Sequence, residues 1–379
     1  MSWPLVSLDD ISVHIRNGAS IKQSSDMAGL PITRIETIAN REVNLDKCGY
    51  ADVGENDFLG HRLGSGDILI SHINSVKHLG KCAIYEGARK DIVHGMNLLC
   101  LRPRQEIIFP RFLFHYLSSS VFLQMIPAIT KKSVNQASFT VTAFKFLEIS
   151  LPPLTEQKRI AAILDKADAI RRKRQQAIQL ADDFLHAVFL DMFGDPNALD
   201  SQWPKAKIGV IGGNENNKRI PLKQADRDSR DGPYPYYGAT GIIDYLDDYL
   251  FDGHYLLISE DGKNLINRTK PLAFPATGKF WVNNHSHVIA DCGTINLTYF
   301  EFCLNLRDIR NYVTGIDQFK LNRASLDSIE ISMPPLISQN KFSSIVQKAR
   351  QTALLHSKAL LECTALFDST SQKAFSGEL

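Results

Sequence analysis

The sequence lacks long apolar runs and lacks a strong excess of either charge. No stretch of eighteen apolar residues occurs, so no segment has the composition of a membrane-spanning helix. The net charge is only +2 over 379 residues, whereas chains that bind nucleic acid alone usually carry a clear basic excess. Residues 191–335 even hold more acidic than basic side chains. Any DNA binding must therefore come from local patches, or be shared with a more basic partner.

Paired cysteines and a secretory signal are also missing. The six cysteines are scattered without a C-x-x-C pair, which indicates reduced thiols and argues against a zinc site. The stretch "MSWPLVSLDD" has neither the basic start nor the apolar core of a signal peptide. These features predict a cytoplasmic protein.

The usual motifs of catalysis are absent as well. The sequence contains no Walker loop, no G-x-G-x-x-G after a strand, no H-E-x-x-H and no G-x-S-x-G. Neither Asn-Pro-Pro-Tyr nor Asp-Pro-Pro-Tyr, which aminomethyltransferases use to hold a target base, occurs. We therefore predict no catalytic residue, no metal site and no cofactor held by this chain.

One acidic stretch leaves an enzymatic alternative open. Asp252, Glu260, Asp261 and Lys263 could form part of a metal-dependent nuclease with a duplicated core. Against this hypothesis, the matching stretch of the first half offers only Asp67.

What the sequence does contain is an internal repeat. "ISLPPLTEQKRIAAILDKADAI" begins at Ile149 and returns as "ISMPPLISQNKFSSIVQKARQT" at Ile331, with nine of the first twenty positions identical. "WP" opens each half, at Trp3 and at Trp203. Strand-like runs, "SGDILIS" and "GHYLLISEDG", recur at matching places. The chain therefore consists of two related modules, each followed by a helix.

The two helices are predicted to be unusually long. Pro152 and Pro153 stop the preceding strand, and Thr155 is a candidate N-cap. Apolar or small residues then follow a 3-4 spacing, which is typical of a coiled-coil seam. The predicted seam positions are 160, 163, 167, 170, 177, 181, 184 and 188 in the first helix, and Phe342, Ile345, Ala349, Thr352, His356, Ala359, Cys363 and Leu366 in the second. A shorter helix is predicted over Pro110–Ile126.

This pattern predicts two strand-rich modules in tandem, each followed by a long helix. The domains are expected to be related by pseudo-two-fold symmetry and separated by two long antiparallel coiled-coil helices. The predicted boundaries are 1–152 for the first domain, 153–192 for its helix, 193–334 for the second domain and 335–379 for the last helix. The open alternative without a DNA role is a coiled-coil interaction protein.

Polar loops at matching places in the two modules carry side chains suited to DNA. Lys and Arg neutralise phosphates, while Asn and Gln can donate to and accept from adenine together. The predicted DNA-binding residues are Lys77, Lys81, Lys131, Lys132, Asn135, Gln136 and Ser138 in the first module, and Lys263, Asn264, Lys279, Asn283, Asn284, His285, Gln318, Lys320, Asn322 and Arg323 in the second.

These motifs together resemble the specificity subunit of type I restriction–modification systems. The resemblance covers nearly the whole chain and rests on "LPPLTEQKRIAAILD", its degenerate copy, the ending "QKAFSGEL", the "WP" starts and the "GDILIS" and "YLLISEDG" strands. It implies an α/β (α+β) fold with two target-recognition domains in tandem. It also implies a non-catalytic protein whose two domains each read one half of a split double-stranded DNA sequence, while the helices set the gap.

The resemblance also implies partners. Two methyltransferase subunits would dock on the helices and modify adenine, and a restriction and translocase subunit would join them. S-adenosylmethionine, ATP and Mg²⁺ would be bound only by those partners. The implied docking residues are Glu156, Gln157, Arg159 and Ile160, with Gln339 in the copy. The copy has Ile337, Ser338, Asn340 and Lys341 in place of the first motif's Thr, Glu, Lys and Arg, so the two docking sites are not expected to be equal.

Overall fold

The computed structural model describes residues 3–24, 29–39, 41–133, 136–198 and 200–378. The chain divides into two compact units. Unit 1 comprises residues 1–175 and 358–379, and unit 2 comprises residues 176–357. Each long helix therefore contributes one half to each unit, and the limits of the recognition domains remain a prediction.

The helices are short apart from the two long ones. They are α1 (Pro110–Leu117), α2 (Ser120–Leu123), α3 (Ile126–Ile129), α4 (Val141–Lys145), α5 (Leu154–Phe193), α6 (Ile208–Ile211), α7 (Gln224–Arg227), α8 (Asn264–Asn267), α9 (Leu297–Leu306), α10 (Arg323–Ser328) and α11 (Leu336–Ser376). At 1.5 Å per residue, the 40 residues of α5 extend over about 60 Å.

The strands form several small sheets. They are β1 (Leu5–Ser7), β2 (Ser12–Asn17), β3 (Leu30–Ile32), β4 (Gly49–Ala51), β5 (Ile68–Ser71), β6 (Ile73–Asn74), β7 (Cys82–Ile84), β8 (Leu98–Pro103), β9 (Lys131–Lys132), β10 (Ala137–Ser138), β11 (Glu148–Ser150), β12 (Lys205–Lys207), β13 (Tyr234–Gly238), β14 (Gly241–Leu246), β15 (Phe251–Ser259), β16 (Ala273–Val282), β17 (Ser286–Ala290) and β18 (Glu330–Ser332).

Both units share a three-stranded antiparallel core and differ at its edges. The shared order is β7-β5-β8 in unit 1 and β16-β15-β17 in unit 2. Unit 1 adds β2 beside β8, whereas the matching place in unit 2 holds an isolated bridge from Asn214 to Ile289. Unit 2 instead adds β13 and β14 beyond β16. The repeat seen in the sequence is therefore a repeat of structure around a common core.

The "WP" starts occupy equivalent places next to the long helices. β1 pairs with β11, with Leu5 opposite Ser150, and β12 pairs with β18, with Lys205 opposite Ser332. The next residue after each pair, Leu151 or Met333, donates its backbone N–H to the carbonyl of Pro4 or Pro204. Two prolines then end each strand, because proline has no N–H for the ladder, and the helix begins.

The two long helices pack against each other in opposite directions. In unit 1, Ile160 and Leu164 near the start of α5 share a buried cluster with Phe367 and Phe375 near the end of α11. In unit 2, the Phe189 ring near the end of α5 lies 5.5 Å from the ring of Phe342, centroid to centroid. The start of each helix thus packs against the end of the other, which confirms the antiparallel arrangement.

The predicted seam has the wrong phase at several positions. Ile170 and Phe184 of α5 and Leu366 of α11 are at least half exposed. Leu185, which follows Phe184, and Phe367, which follows Leu366, are buried instead. A straight helix drifts by about 20° per heptad from a strict 3.5-residue repeat. Since the two halves of each helix pack on the cores of different units, the buried stripe follows those cores rather than a continuous seam.

Two local predictions are also corrected. The predicted helix over 110–126 is broken after Leu117, where the Ser119 hydroxyl caps α2 by accepting a hydrogen bond from the Phe122 N–H. Thr155 is not a cap, because α5 already begins at Leu154.

No single helix in the described ranges is long and apolar enough to cross a membrane. A bent pair, Pro110–Leu117 with Ser120–Ile129, reaches the required length and composition only when both parts are taken together. Phe112, Leu113 and Phe122 of this pair lie in the buried core of unit 1, which accounts for their apolar character.

Candidate nucleic-acid interface

In unit 1, two of the loops in which the sequence predicts DNA-binding residues are joined into one small sheet. β10 pairs with β6 on one side and with β9 on the other. Ser138 lies opposite Ile73 of the first loop and opposite Lys131 of its own loop. Segments more than fifty residues apart in sequence therefore present one continuous edge.

This edge rests on a rigid aromatic base. The Phe139 N–H donates to the His72 carbonyl over 3.1 Å. The Phe139 side chain is buried and stacks on Phe144, with centroids 5.3 Å apart. The Thr140 hydroxyl caps α4 by accepting a hydrogen bond from the Ala143 N–H. The end of this loop, at Phe139 and Thr140, is therefore anchored to the core of unit 1.

Most of the residues predicted for unit 1 are accessible. The exposed ones are Lys77, Lys81, Lys131, Lys132 and Gln136, and Ser138 is half-buried. Asn135 lies outside the described residues. Lys131 and Lys132, which form β9, give this edge a positive character suited to phosphates.

Unit 2 repeats the arrangement with different side chains. The Gly262 N–H donates to the Phe319 carbonyl over 3.0 Å, and the Leu321 N–H donates to the Glu260 carbonyl over 2.7 Å. Leu321 is fully buried and takes the anchoring place that Phe139 has in unit 1. The predicted loops 260–268 and 314–325 therefore converge, as their counterparts do.

A third loop, between β16 and β17, joins this cluster. The Glu260 N–H donates to the His285 carbonyl over 2.9 Å. The His285 ring donates from Nδ1 to the Asp261 carboxylate over 2.5 Å, and both side chains are accessible. Asp261 also bridges Lys320 through the backbone. His285, Asp261 and Lys320 thus meet on one surface.

Beneath this surface lies a buried ionic network that the sequence did not reveal. Arg219 donates to Glu260 Oε2 over 2.8 Å and to the Ser286 carbonyl over 2.7 Å. The side chains of Arg219 and Glu260 are only 13% and 12% exposed. Lys320 Nζ lies 3.6 Å from Glu260 Oε1. Arg219 precedes Glu260 by 41 residues, and no local pattern links the two positions.

His287 completes the network in a defined tautomer. Its Nδ1 accepts a hydrogen bond from the Asn216 amide, and its Nε2 donates to the Leu321 carbonyl, each over 2.8 Å. Burial lowers the pKa of His287, which keeps the ring neutral. The hydrogen bond from His287 therefore holds the backbone of the 314–325 loop at Leu321.

Three residues of unit 2 that the sequence predicts to contact DNA have structural partners within the chain. Asn264 is buried and bonds to the backbone of Lys270, while the Asn283 side chain accepts from the His285 N–H. Asn322 caps α10 by accepting from the Ser325 N–H, as Thr140 caps α4 in unit 1. Asn and Asp side chains favour such hydrogen bonds to the nearby backbone.

The remaining predicted residues of unit 2 differ in their availability. Lys263, Asn284, Gln318 and Lys320 are exposed. Arg323 is exposed but faces Asp327 of its own helix at 3.3 Å.

Lys279 lies apart from the loop cluster. It sits within β16 opposite Asp252, with its Nζ 4.4 Å from the centroid of the Tyr249 ring.

The two edges differ in charge at equivalent positions. Glu260 and Asp261 of unit 2 follow Ser259 as His72 and Ile73 of unit 1 follow Ser71. Burial lowers the pKa of His72 to about 4, so this position is uncharged at neutral pH. Unit 1 thus has neutral side chains at these two positions, while unit 2 has carboxylates, of which the accessible one, Asp261, can accept a hydrogen bond from a base amino group.

We expect unit 1 to lose stability as the pH falls from about 6.5 to about 4. Burial lowers the pKa of both His72 and His94 to about 4 in the folded state. Between these values the unfolded chain binds protons that the folded chain excludes, which costs about 1.4 kcal/mol per pH unit for each histidine. Urea unfolding at pH 7.5 and pH 5.0 checks this loss.

A matched pair of variants assigns the effect. His94→Gln should reduce the difference between the two pH values, whereas the exposed His186→Gln should leave it unchanged. An equal pH dependence in wild type and His94→Gln would contradict the assignment.

In unit 2, two aspartates in and just after β14 form ion pairs with arginines. Asp244 pairs with Arg227 at 2.9 Å and Asp247 with Arg230 at 2.8 Å. Asp67, the only acid in the matching stretch of the first half, is buried. Within the described part of the chain, no group of three or more His, Cys, Asp or Glu side chains is arranged to hold a metal ion.

Asp67 has a structural role in unit 1. Its carboxylate accepts two hydrogen bonds from Arg102, over 2.7 and 2.6 Å, and one from the Gly64 N–H.

Three of the five predicted docking residues face inward. The Gln157 side chain accepts from the Phe109 N–H over 2.7 Å and donates to the carbonyls of Ile107 and Pro152. Gln339 repeats this in unit 2, accepting from the Asn296 N–H and donating to the Pro334 carbonyl. Their identity in the repeat reflects this clamp, not an accessible surface.

Ile160 is likewise fully buried in unit 1, so the prediction that it forms a docking surface is wrong. Glu156 and Arg159 remain accessible and pair with each other at 2.7 Å.

The long helices carry exposed apolar side chains on other faces. In α5 these include Ile170, Leu180, Phe184 and Leu190, and in α11 they include Ile337, Leu354, Leu355, Leu361 and Leu366. Contiguous exposed apolar residues on soluble chains mark surfaces that contact other proteins.

Comparisons with known proteins agree with the repeat. The family model described as "Type I restriction modification DNA specificity domain" matches residues 2–180 and again residues 201–362. The chain is 32% identical over 357 residues to a putative type I restriction enzyme MjaX specificity subunit of Methanocaldococcus jannaschii, covering 89% of this chain and 84% of that protein. It is also 37% identical over 132 residues to a putative type I restriction enzyme specificity subunit of Haemophilus influenzae, covering 35% and 33%.

Solved structures share the fold at low sequence identity. The S subunit of a type I restriction–modification system from M. genitalium aligns with a TM-score of 0.64 at 17% identity, covering 99% of this chain and 96% of that one. A chain from a structural study of type I complex assembly and conformational transition aligns with a TM-score of 0.54 at 14% identity, covering 100% and 98%.

Proposed function

The chain belongs to the family of DNA specificity subunits of type I restriction–modification systems, and from this premise we propose that each of its units reads one half of a split DNA sequence. Members of this family recognise DNA and leave catalysis to other subunits. The reading surface of unit 1 is the edge formed by β6, β9 and β10. That of unit 2 is the loop cluster around Asp261, His285 and Lys320.

The observation that carries this proposal is the convergence of polar loops at equivalent places in both units. In each unit the segment after the central strand binds, through backbone hydrogen bonds, the segment before the last short helix. Each loop pair is anchored by a buried side chain, Phe139 or Leu321, and exposes lysines beside groups that can bond to bases. Rigid placement of such groups is what base readout requires.

The partners proposed for this chain are two adenine methyltransferase subunits and a restriction and translocase subunit. Glu156 and Arg159, together with the exposed apolar residues of α5 and α11, support docking on the long helices. S-adenosylmethionine, ATP and Mg²⁺ belong to the partner subunits. The complex acts on DNA, and its place is therefore the cytoplasm.

Co-expression with the cognate methyltransferase subunit tests this function. Adenine methylation of the host DNA is then mapped by single-molecule sequencing. A split motif with two defined halves and a fixed gap is the expected result. A stable complex that methylates no such motif would overturn the proposal.

We expect Lys131→Ala with Lys132→Ala to weaken DNA binding without changing the motif. Each lysine that neutralises a phosphate releases condensed counterions, so the slope of log K against log salt should fall by about 1 per lysine removed. Titrations of the assembled complex at several salt concentrations measure this slope. Lys90→Ala, another exposed lysine of unit 1, serves as the control. An unchanged slope in the double variant would place these lysines away from the DNA.

A further inference from the structure

One residue of the unit 2 loop is apolar and almost fully exposed. Ile316 is 89% exposed, more than any other large apolar side chain in the described residues. It lies between Gly315 and Asp317 at the tip of the hairpin Thr314–Lys320. An aliphatic side chain neither pairs with phosphate nor donates a hydrogen bond, so Ile316 is not among the residues that the sequence predicts to bind DNA.

The exposure of Ile316 is built into the hairpin. The Thr314 N–H donates to the Lys320 carbonyl over 2.9 Å, and the Lys320 N–H donates to the Thr314 carbonyl over 2.8 Å. Gly315 has a φ of +92°, and a Cβ there would lie 2.1 Å from the Gln318 carbonyl oxygen. The turn therefore requires glycine at this position. The turn directs the Ile316 side chain away from the body of unit 2.

The hairpin is also tied firmly to the proposed reading surface. The residues just after the tip bond to Gly262 and Glu260 through the backbone. Gln318 and Lys320 lie in the same hairpin and are exposed. Ile316 is thus an apolar group set among hydrogen-bonding groups on one surface.

In the major groove, the base edges offer one prominent apolar feature, the C5-methyl group of thymine. We propose that Ile316 contacts a thymine C5-methyl group in the half-site read by unit 2, and so makes an A·T pair part of that half-site. This inference rests on the proposed function and adds the chemistry of one contact. Gln318 and Lys320 supply the polar contacts beside it.

The test replaces thymine by deoxyuridine, which removes the methyl group and leaves the hydrogen-bonding pattern intact. Duplexes carrying the mapped motif are made with one deoxyuridine at a time in the unit 2 half-site. That half-site is identified as the half whose motif changes in Gln318→Ala. Dissociation constants are measured for the assembled complex at one salt concentration.

We expect one thymine position at which the wild-type complex loses about fourfold in affinity, the value of one buried methyl group. Ile316→Ala should bind the thymine and deoxyuridine duplexes equally, whereas Ile316→Val should keep part of the preference. Val210→Ala, which alters another strongly exposed aliphatic residue of unit 2, should keep all of it.

Several results would overturn the inference. One is a wild-type complex that is insensitive to every deoxyuridine, or a half-site without thymine. Another is an Ile316→Ala complex that keeps the wild-type ratio, or that loses affinity equally for all duplexes. A loss of methyltransferase assembly in Ile316→Ala would assign the residue to a protein interface. Failure to find any split motif would instead refute the proposed function.

Discussion

Gln157→Leu is expected to lower the free energy of unfolding of unit 1 by about 3 kcal/mol. Leucine fills a similar volume but leaves three backbone groups without a partner, namely the Phe109 N–H and the carbonyls of Ile107 and Pro152. Each unsatisfied buried group costs about 1–3 kcal/mol, and partial access of water to the Ile107 carbonyl keeps the sum near the lower end. Urea unfolding measures the loss.

Its matched partner is Gln339→Leu in unit 2. That change leaves two backbone groups without a hydrogen-bond partner, the Asn296 N–H and the Pro334 carbonyl. It should lower the free energy of unfolding by less than Gln157→Leu does. Hydrogen exchange resolved by peptide assigns each loss to its unit, since protection should fall in unit 1 for the first variant and in unit 2 for the second. Lys158→Leu, an exposed neighbour on α5, is the control.

The clamp interpretation fails if Gln157→Leu unfolds like the wild type. Stable variants that no longer bind the methyltransferase would restore the docking role that the family resemblance suggested for these glutamines. The buried position of both side chains makes that outcome incompatible with the structure.

Glu260→Ala is expected to destabilise unit 2 by about 3–5 kcal/mol and to abolish methylation of the split motif. Removing this carboxylate leaves the Arg219 guanidinium buried with only the carbonyls of Ser286 and Asn216 as partners. Breaking one partner of a buried ion pair costs that much because the other charge remains uncompensated. Lys320, on the reading surface, loses its carboxylate partner at the same time.

Two further variants separate charge burial from contact with DNA. Glu260→Ala with Arg219→Met removes both charges and should recover much of the stability, because no unpaired charge is left. Asp327→Ala breaks the exposed pair with Arg323 and should change stability by less than about 1 kcal/mol. A Glu260→Ala chain with wild-type stability and an unchanged motif would show that the network neither supports unit 2 nor positions its loops.

The nuclease alternative finds no support in these contacts. Asp261 pairs with His285, Glu260 with Arg219 and Asp244 with Arg227. Of the acids that the sequence suggested as a catalytic cluster, Glu260 and Asp261 are held in separate ion pairs.

The sequence alone determined the architecture, because the double prolines, the helical pattern and the repeat can be recognised without knowing which segments meet in space. The double prolines stop a strand wherever they occur, and the continuous helical pattern after each predicts α5 and α11. The repeat indicated that each module would be built alike, and the paired β1–β11 and β12–β18 strands agree. The recurrence of polar loops was readable for the same reason.

Only the tertiary structure decided which side chains face inward. Gln157 and Gln339 carry the same amide as Gln318, yet two hold backbone groups inside their units and one is exposed. Periodicity shows that a helix has an apolar face but not which surface covers it, so the predicted seam placed Phe184 inside although it lies outside. The Arg219–Glu260 pair and the exposed Ile316 depend on chain segments that meet only after folding, and no spacing in the sequence encodes such meetings.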